Sequence, residues 1–175
     1  MKQPNFLRFD IPKYMETAEN FNVNTSFGLL VGRTAKLLVE HLQQRLNTPD
    51  IGLTMSHWII LAQLWHEDGL SQQEISNRSG VAKPNVTTMV DTLEKESFIV
   101  RIPDQIDRRI NRIFLTQKAK NIRCKAIEQA LSVYQTAFEG FTAKEREALL
   151  QGLQKVRTNL QSGAEGSCGH HNTSE

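Results

Sequence analysis

Apolar residues recur along this chain at two different periods, and the points where the period changes divide it into elements. From about Thr25 to Asn47 they fall at Phe27, Leu30, Val31, Leu37, Leu38, Leu42 and Leu46, a helical spacing with a broad apolar stripe. Thr48-Pro49-Asp50 and Gly52 end that helix. A second helix is expected over about Met55 to His66, opened by Thr54 as its cap and closed at Asp68-Gly69. Its content (Trp58, Ile59, Ile60, Leu61, Leu64, Trp65) is apolar on most sides, so it is expected at the centre of the fold. Ser71 and Glu74 set a hydroxyl and a carboxylate at capping-box spacing, which predicts a short third helix ending at Ser79-Gly80. A fourth begins near Lys83-Pro84, where proline occupies a first-turn position whose N–H has no helical partner to lose. It continues through Val86, Met89, Val90 and Leu93 to about Lys95.

The period then shortens. Phe98 to Ile102 reads as a strand, Asp104 to Asp107 as a turn, and Ile110 to Leu115 as the returning strand. A fifth helix is expected from Thr116 to about Glu139, ended by Gly140. Thr142 and Glu145 repeat the capping-box pattern ahead of a last helix whose Leu149, Leu153, Val156 and Leu160 are spaced four-three-four. Residues 1–23, with Pro4 and Pro12, read as an N-terminal arm whose Phe6, Phe9, Tyr14 and Phe21 pack on something. From Ser162 the chain is rich in Gly, Ser, His and Asn, and residues 162–175 are expected to be a disordered tail. The expected fold class is mainly α with a small β-hairpin, with a winged helix-turn-helix at about 54–116.

Composition changes this picture only locally. At 175 residues the chain suits one domain with tails, and its formal net charge of +2 by itself identifies no partner. The charge is unevenly placed: eight Lys/Arg lie between Arg101 and Lys125 (Arg101, Arg108, Arg109, Arg112, Lys118, Lys120, Arg123, Lys125), against Asp104 and Asp107 alone. Cys124 and Cys168 stand at no metal-ligand spacing and form no disulfide framework; an inert thiol is the expectation for Cys124. Cys168, His170 and His171 in the tail are too few and too loosely held to be entered as a metal site. There is no signal-peptide organisation and no apolar run of membrane-spanning length, so a reducing cytoplasm is the expected setting, with no membrane partner. No nucleophile–base pair, phosphate loop or carboxylate dyad is present, and neither enzyme activity nor a cofactor is expected.

Two short helices meeting at Ser79-Gly80-Val81 and followed by a hairpin place the second helix where it can lie in a major groove. The start of that helix carries Lys83, Asn85, Thr87 and Thr88, side chains that bond base edges or meet a thymine methyl. Val86, Val90 and Leu93 on the other face belong to the core. The hairpin is the wing. Its Arg108 and Arg109, with Arg112 on the exit strand, suit a narrow minor groove, where they supply affinity and shape readout. A steep salt dependence of binding follows, and removing Arg108 is expected to lower the log–log slope by about one. Double-stranded DNA is therefore the expected partner.

Leu70 to Lys118 resembles the core of the MarR family of regulators. The family's wing signature, Asp, any residue, Arg, five residues, Leu-Thr, is present as Asp107-Arg108-Arg109, then Ile110 to Phe114, then Leu115-Thr116. Asn85 to Glu94 resembles the family's recognition helix. The resemblance covers roughly residues 25–161, by motif in the middle and by pattern at the flanks. It implies a MarR-like domain over 24–161 and a homodimer built by the flanking helices, about 25–47 and 117–161. It further implies an Asp107–Arg109 pair that shapes the wing, and a repressor that binds a pseudopalindromic operator. A glycine usually follows the recognition helix in this family; here Ser97 stands there. The residue after Thr87 is often arginine; here it is Thr88, which bears on operator preference. Many members bind small aromatic acids between the dimer helices and the reader, which makes His41, His57, Trp58 and Trp65 candidates for an effector pocket. The alternative, that the tryptophans are core and the histidines partly exposed, stays open at this point. Some members sense zinc through clustered His and Glu on the dimer helices. Here Glu40 and His41 have no matching His on the fifth helix, so no metal is expected. A winged-helix module for protein docking is the alternative function, and exposed aromatics on the wing would be its mark.

Overall fold

Nine elements are formed by the described residues. In a computed structural model, residues 22 and 26–166 are described, 163–166 by backbone alone. The N-terminal arm, Asn22 apart, and the residues after Gly166, including Cys168, His170 and His171, lie outside them. The elements are α1 (Phe27–Leu46), α2 (Met55–His66), β1 (Leu70–Ser71), α3 (Gln72–Ser79), α4 (Lys83–Lys95), β2 (Ile99–Pro103), β3 (Asn111–Leu115), α5 (Gln117–Ala137) and α6 (Ala143–Gly166). They fall into two compact units, one ending at Ala126 and one beginning at Ile127.

Helix starts are set by side chains that accept the first-turn N–H groups. Ser71 Oγ accepts from Glu74 N at 3.2 Å while Glu74 Oε2 accepts from Ser71 N at 2.8 Å. Thr142 and Glu145 make the same exchange at the start of α6. At α2 the reciprocal acceptor is an imidazole: Thr54 Oγ1 accepts from His57 N, and His57 Nδ1 accepts from Thr54 N at 3.4 Å. His57 is buried, and burial pushes its pKa down; the Glu96 carboxylate, 3.6 Å from Nε2, opposes that and the Lys118 charge adds to it. Helix α4 ends in a Schellman motif, with Phe98 N donating to Leu93 O and Ser97 N to Glu94 O, both at 2.9 Å. Ser97 supplies the left-handed residue at φ 61°, in the place where glycine is usual.

Within the first unit α2, α3, α4 and the sheet enclose one core. Leu46, Leu53, Ile60, Leu61, Leu64, Ile75, Val86, Val90, Leu93 and Ile113 are fully buried there. Trp65 donates its indole N–H to Ala119 O at 3.2 Å, which ties the start of α5 to α2. The sheet has three antiparallel strands in the order β1-β3-β2. The hairpin was expected; the two-residue strand β1 was not. Gly69 makes the added strand possible. Its N–H bonds Ile113 O, its φ is +81°, and a Cβ there would come within 2.8 Å of the Phe114 ring.

The second unit comprises the end of α5, Gly140 with φ 81°, and α6. Leu131, Tyr134, Leu149, Leu150, Leu153 and Leu160 are exposed in it; in the first unit α1 likewise exposes Phe27, Leu30, Val31 and Leu37. The expectation of disorder from Ser162 is corrected: α6 continues to Gly166, and Ser162 Oγ donates to Thr158 O at 3.0 Å. Extending a formed helix by a weak residue costs only about 0.5–1 kcal/mol, because nucleation is already complete. No described helix is long and apolar enough to cross a membrane.

Candidate nucleic-acid interface

The helix pair α3–α4 is held at a fixed angle by the turn between them. Gly80 caps α3 in the left-handed region, Ser76 Oγ donates to Val81 O at 2.7 Å, and Ser79 Oγ accepts from Val81 N at 3.2 Å. Burial of Val86, Val90 and Leu93 fixes the rotation of α4 about its axis. The opposite face then carries the predicted readers. Lys83, Asn85 and Thr88 are exposed, and the side chains of Lys83 and Asn85 have no hydrogen-bond or ion-pair partner among the described residues. Thr88 Oγ1 lies 3.2 Å from Pro84 O. Thr87 is half-buried, its hydroxyl 3.0 Å from Gln72 Oε1 and 3.1 Å from Lys83 O, so it braces α3 against α4.

The wing loop is closed by Asp104 N to Ile110 O at 2.8 Å and Ile110 N to Asp107 O at 2.9 Å. Asp107 holds Arg109 as the wing signature implies: Oδ1 accepts from Arg109 Nε at 3.0 Å and from its backbone N at 3.1 Å, and Oδ2 from Nη2 at 3.3 Å. Those bonds keep the Asp107 carboxyl below its ordinary range. The Arg109 side chain nonetheless remains 91% exposed, so the guanidinium is oriented without being withdrawn. Arg108 is exposed and has no ion-pair partner among the described residues.

Arg112 is placed differently from the other wing arginines. Its Nε donates to Asp104 Oδ2 at 2.7 Å, and its Nη1 to Glu74 Oε2 at 3.0 Å and to Gly69 O at 3.3 Å. One guanidinium thus joins the wing loop, the capping box of α3 and the glycine just before β1. Arg112 and the backbone N–H groups of Asp107 and Ile106 hold the Asp104 carboxyl down at about 2. Sequence alone grouped Arg112 with Arg108 and Arg109 as a DNA contact. The structure commits its donors to the fold, to Asp104 in the wing loop, to Glu74 on α3 and to Gly69 O.

Arg101 is a second internal cation that the sequence reading counted only as charge. It bonds the carboxylates of Asp91 and Glu94 on α4, and its backbone N donates to Glu94 Oε1 at 3.2 Å, so the base of the wing is braced on the reading helix. Lys118 donates to Glu96 O at 2.8 Å and sits 3.8 Å over the Phe98 ring. Lys120 and Lys125 face Asp68 and Asp50 at 3.8 and 3.9 Å. The basic stretch is therefore thinner than its composition: of its cations, only Arg108 at the wing tip and Arg123 on α5 are exposed with no side-chain hydrogen-bond or ion-pair partner among the described residues. Partner identity depends on residues distant in the chain, so no local pattern carried this information.

The four pocket candidates are used otherwise or stand apart. His57 caps α2, Trp65 is buried on Ala119 O, Trp58 lies edge-on to Trp65 at 5.9 Å, and His41 is exposed. Cys124 is an exposed free thiol. Among the described residues no group of three or more His, Cys, Asp or Glu could hold a metal ion.

Residues 53–110 match the model of the MarR family. The HTH-type transcriptional regulator TtmR of Methylorubrum extorquens (strain PA1) is 33% identical over 112 residues, which are 64% of this chain; the chain spans 56% of that relative's length. Among solved structures, Bordetella bronchiseptica BpsR, studied for regulation of its DNA binding by 6-hydroxynicotinic acid, superposes with a TM-score of 0.71 at 22% identity, covering 78% of this chain and 96% of that one. The transcriptional repressor CouR, bound to a 23-mer DNA duplex, gives a TM-score of 0.68 at 25% identity over 77% of this chain and 94% of its own; CouR of Rhodococcus jostii RHA1 is also known bound to p-coumaroyl-CoA. A helix pair braced on an arginine-tipped wing, the signature from Asp107 to Thr116 and these likenesses agree: over residues 53–110 the chain carries the winged helix-turn-helix of the MarR family of transcriptional regulators.

Proposed function

We propose that this regulator acts as a homodimeric repressor, reading a pseudopalindromic operator with two copies of α4 and gripping the flanking minor grooves with two wings. The observation that carries the reading is the division of labour among its polar side chains. Lys83, Asn85, Thr88, Arg108 and Arg109 stay exposed on one helix face and one loop tip, while Arg101, Arg112 and Lys118 are spent on the fold. Asn85 suits bidentate pairing with adenine, and a Thr88 methyl suits thymine. Thr87 contributes by fixing the angle of α4. The likeness to CouR on its duplex supports DNA as the partner.

The exposed apolar residues of α1 and α6 support the homodimer, since a monomer leaves those leucines in water. The two readers of such a dimer would engage half-sites about 10 bp apart, one helical turn. Effector control is supported by BpsR, whose DNA binding is regulated by 6-hydroxynicotinic acid, and by CouR, known bound to p-coumaroyl-CoA. A small aromatic acid or its thioester that favours a dimer with differently spaced readers would release DNA by its differential affinity for the two states.

Selection of bound sequences from a random duplex pool tests the reading. Enrichment of an inverted repeat with half-sites one turn apart is the expected result. A protein that is a folded dimer and enriches no sequence would overturn it and favour the docking role.

A further inference from the structure

The wing tip holds one side chain that neither the fold nor the arginine contacts account for. Ile106 is 97% exposed, the most exposed of the large apolar residues among those described. Turns of this kind are ordinarily served by small polar residues such as Asn, Ser or Gly. The loop around Ile106 is well tied down: Asp104 Oδ1 accepts from Ile106 N at 2.8 Å and from Asp107 N at 3.0 Å, so the Ile106 backbone is oriented before any partner arrives. Both carboxylates of the tip are neutralised internally, Asp104 by Arg112 and Asp107 by Arg109. What the tip offers outward is therefore an apolar branched side chain beside the unpaired Arg108 and the exposed, Asp107-held Arg109.

We propose that Ile106 is a DNA-contacting residue, an apolar finger that enters the minor groove beside Arg108 and packs on deoxyribose and on the edge of one base step. The inference rests on the DNA-reading function proposed above and adds a contact and a source of specificity to it. The minor groove suits this pairing of groups. Its walls present sugar C–H surface, its potential draws the neighbouring cation, and apolar side chains are known to wedge between its base steps. Wedging is cheapest at pyrimidine–purine steps, so Ile106 makes the operator prefer TA or CA/TG where the wing lands, a position no hydrogen bond from the tip reads.

The test uses the full chain and the duplex enriched by wild type, with affinity measured by fluorescence anisotropy over a salt series. Ile106→Ser, at a side chain that touches nothing in the fold, is expected to leave the thermal midpoint unchanged. It should weaken binding about tenfold for the two tips of a dimer and leave the salt slope unaltered, because apolar burial releases no counterions. Ile106→Leu should retain affinity within about twofold, since apolar volume is kept. Repeating the selection with Ile106→Ser should erase the preference for a flexible step under the wing. Wild-type affinity and step preference in Ile106→Ser would overturn the proposal. If Arg108→Ala still loses affinity in the same series, the failure belongs to Ile106 alone. A wild-type protein that binds no duplex would instead overturn the DNA reading beneath it.

Discussion

Replacing Arg108 by Ala and, separately, Arg112 by Met distinguishes a cation that meets phosphate from one that holds the wing in place. Arg108 is exposed and unpaired among the described residues, whereas the Arg112 donors are taken by Asp104, Glu74 and Gly69 O. Each phosphate neutralised contributes about 0.9 to the slope of log affinity against log salt, so losing Arg108 should lower it by about one per wing, about 1.8 for the two wings of a dimer. Extrapolated from 1 M to 0.15 M salt, that slope change weakens binding by about 30-fold, or about 2 kcal/mol. Arg112→Met should leave the slope at its wild-type value. It should instead lower the unfolding midpoint, since Asp104 and Glu74 lose their shared partner, and weaken binding by a factor that salt does not change. Anisotropy titrations at four or five salt concentrations, with urea unfolding at fixed protein concentration, give both quantities. A slope that drops as far for Arg112→Met as for Arg108→Ala would refute the separation of roles.

Further consequences follow from the same contacts. Asp104 should titrate near 2 by carboxyl NMR and move back toward its ordinary value in Arg112→Met. Because its folded-state value is depressed, its contribution to stability is present above the unfolded value of about 4 and is lost as pH falls toward 2. His57 is also depressed, by burial, so the folded state should lose stability as pH drops below about 6.5, when the unfolded chain takes up a proton that Nδ1 cannot accept while bonded to Thr54 N. His57→Gln should flatten that part of the stability–pH curve, and an unchanged curve would assign the acid sensitivity elsewhere. Ser97→Gly removes the left-handed strain at φ 61° without losing a side-chain hydrogen bond. It should raise stability by about 0.5–1 kcal/mol after the glycine's own entropy cost, with operator affinity unchanged; a lowered midpoint would contradict this.

Much of the architecture was legible because its boundaries are written in side chains that act locally. Ser71 with Glu74, Thr142 with Glu145, Pro84 in a first turn and Gly80 after α3 each mark a helix end by bonds to nearby backbone, and the elements begin and end within a few residues of those marks. Ser97 stands where glycine is usual, and it occupies the left-handed position that glycine would. What stayed hidden depends on distance in the chain. A two-residue strand such as Leu70–Ser71 shows no period, and its existence rests on Gly69 meeting Ile113 and Phe114. The sign of a charge does not name its partner: Arg101, Arg108 and Arg112 look alike in a basic stretch, yet carboxylates on α3, on α4 and in the wing loop claim two of them. His57 looked like a pocket residue because an imidazole in a capping box leaves no sequence signature.

Parallel selections from one random duplex pool, with wild type and with Asn85→Ala, test the reading helix most directly. Asn85 is exposed on α4, so truncating it leaves the fold alone. Wild type should enrich an inverted repeat with half-sites about 10 bp apart, and Asn85→Ala should enrich the same repeat with one base pair in each half-site made degenerate, at an affinity cost of about 1–3 kcal/mol per contact. Identical consensus sequences and identical affinities for the two proteins would show that α4 does not read bases through Asn85, and the account of this interface would fail at its centre.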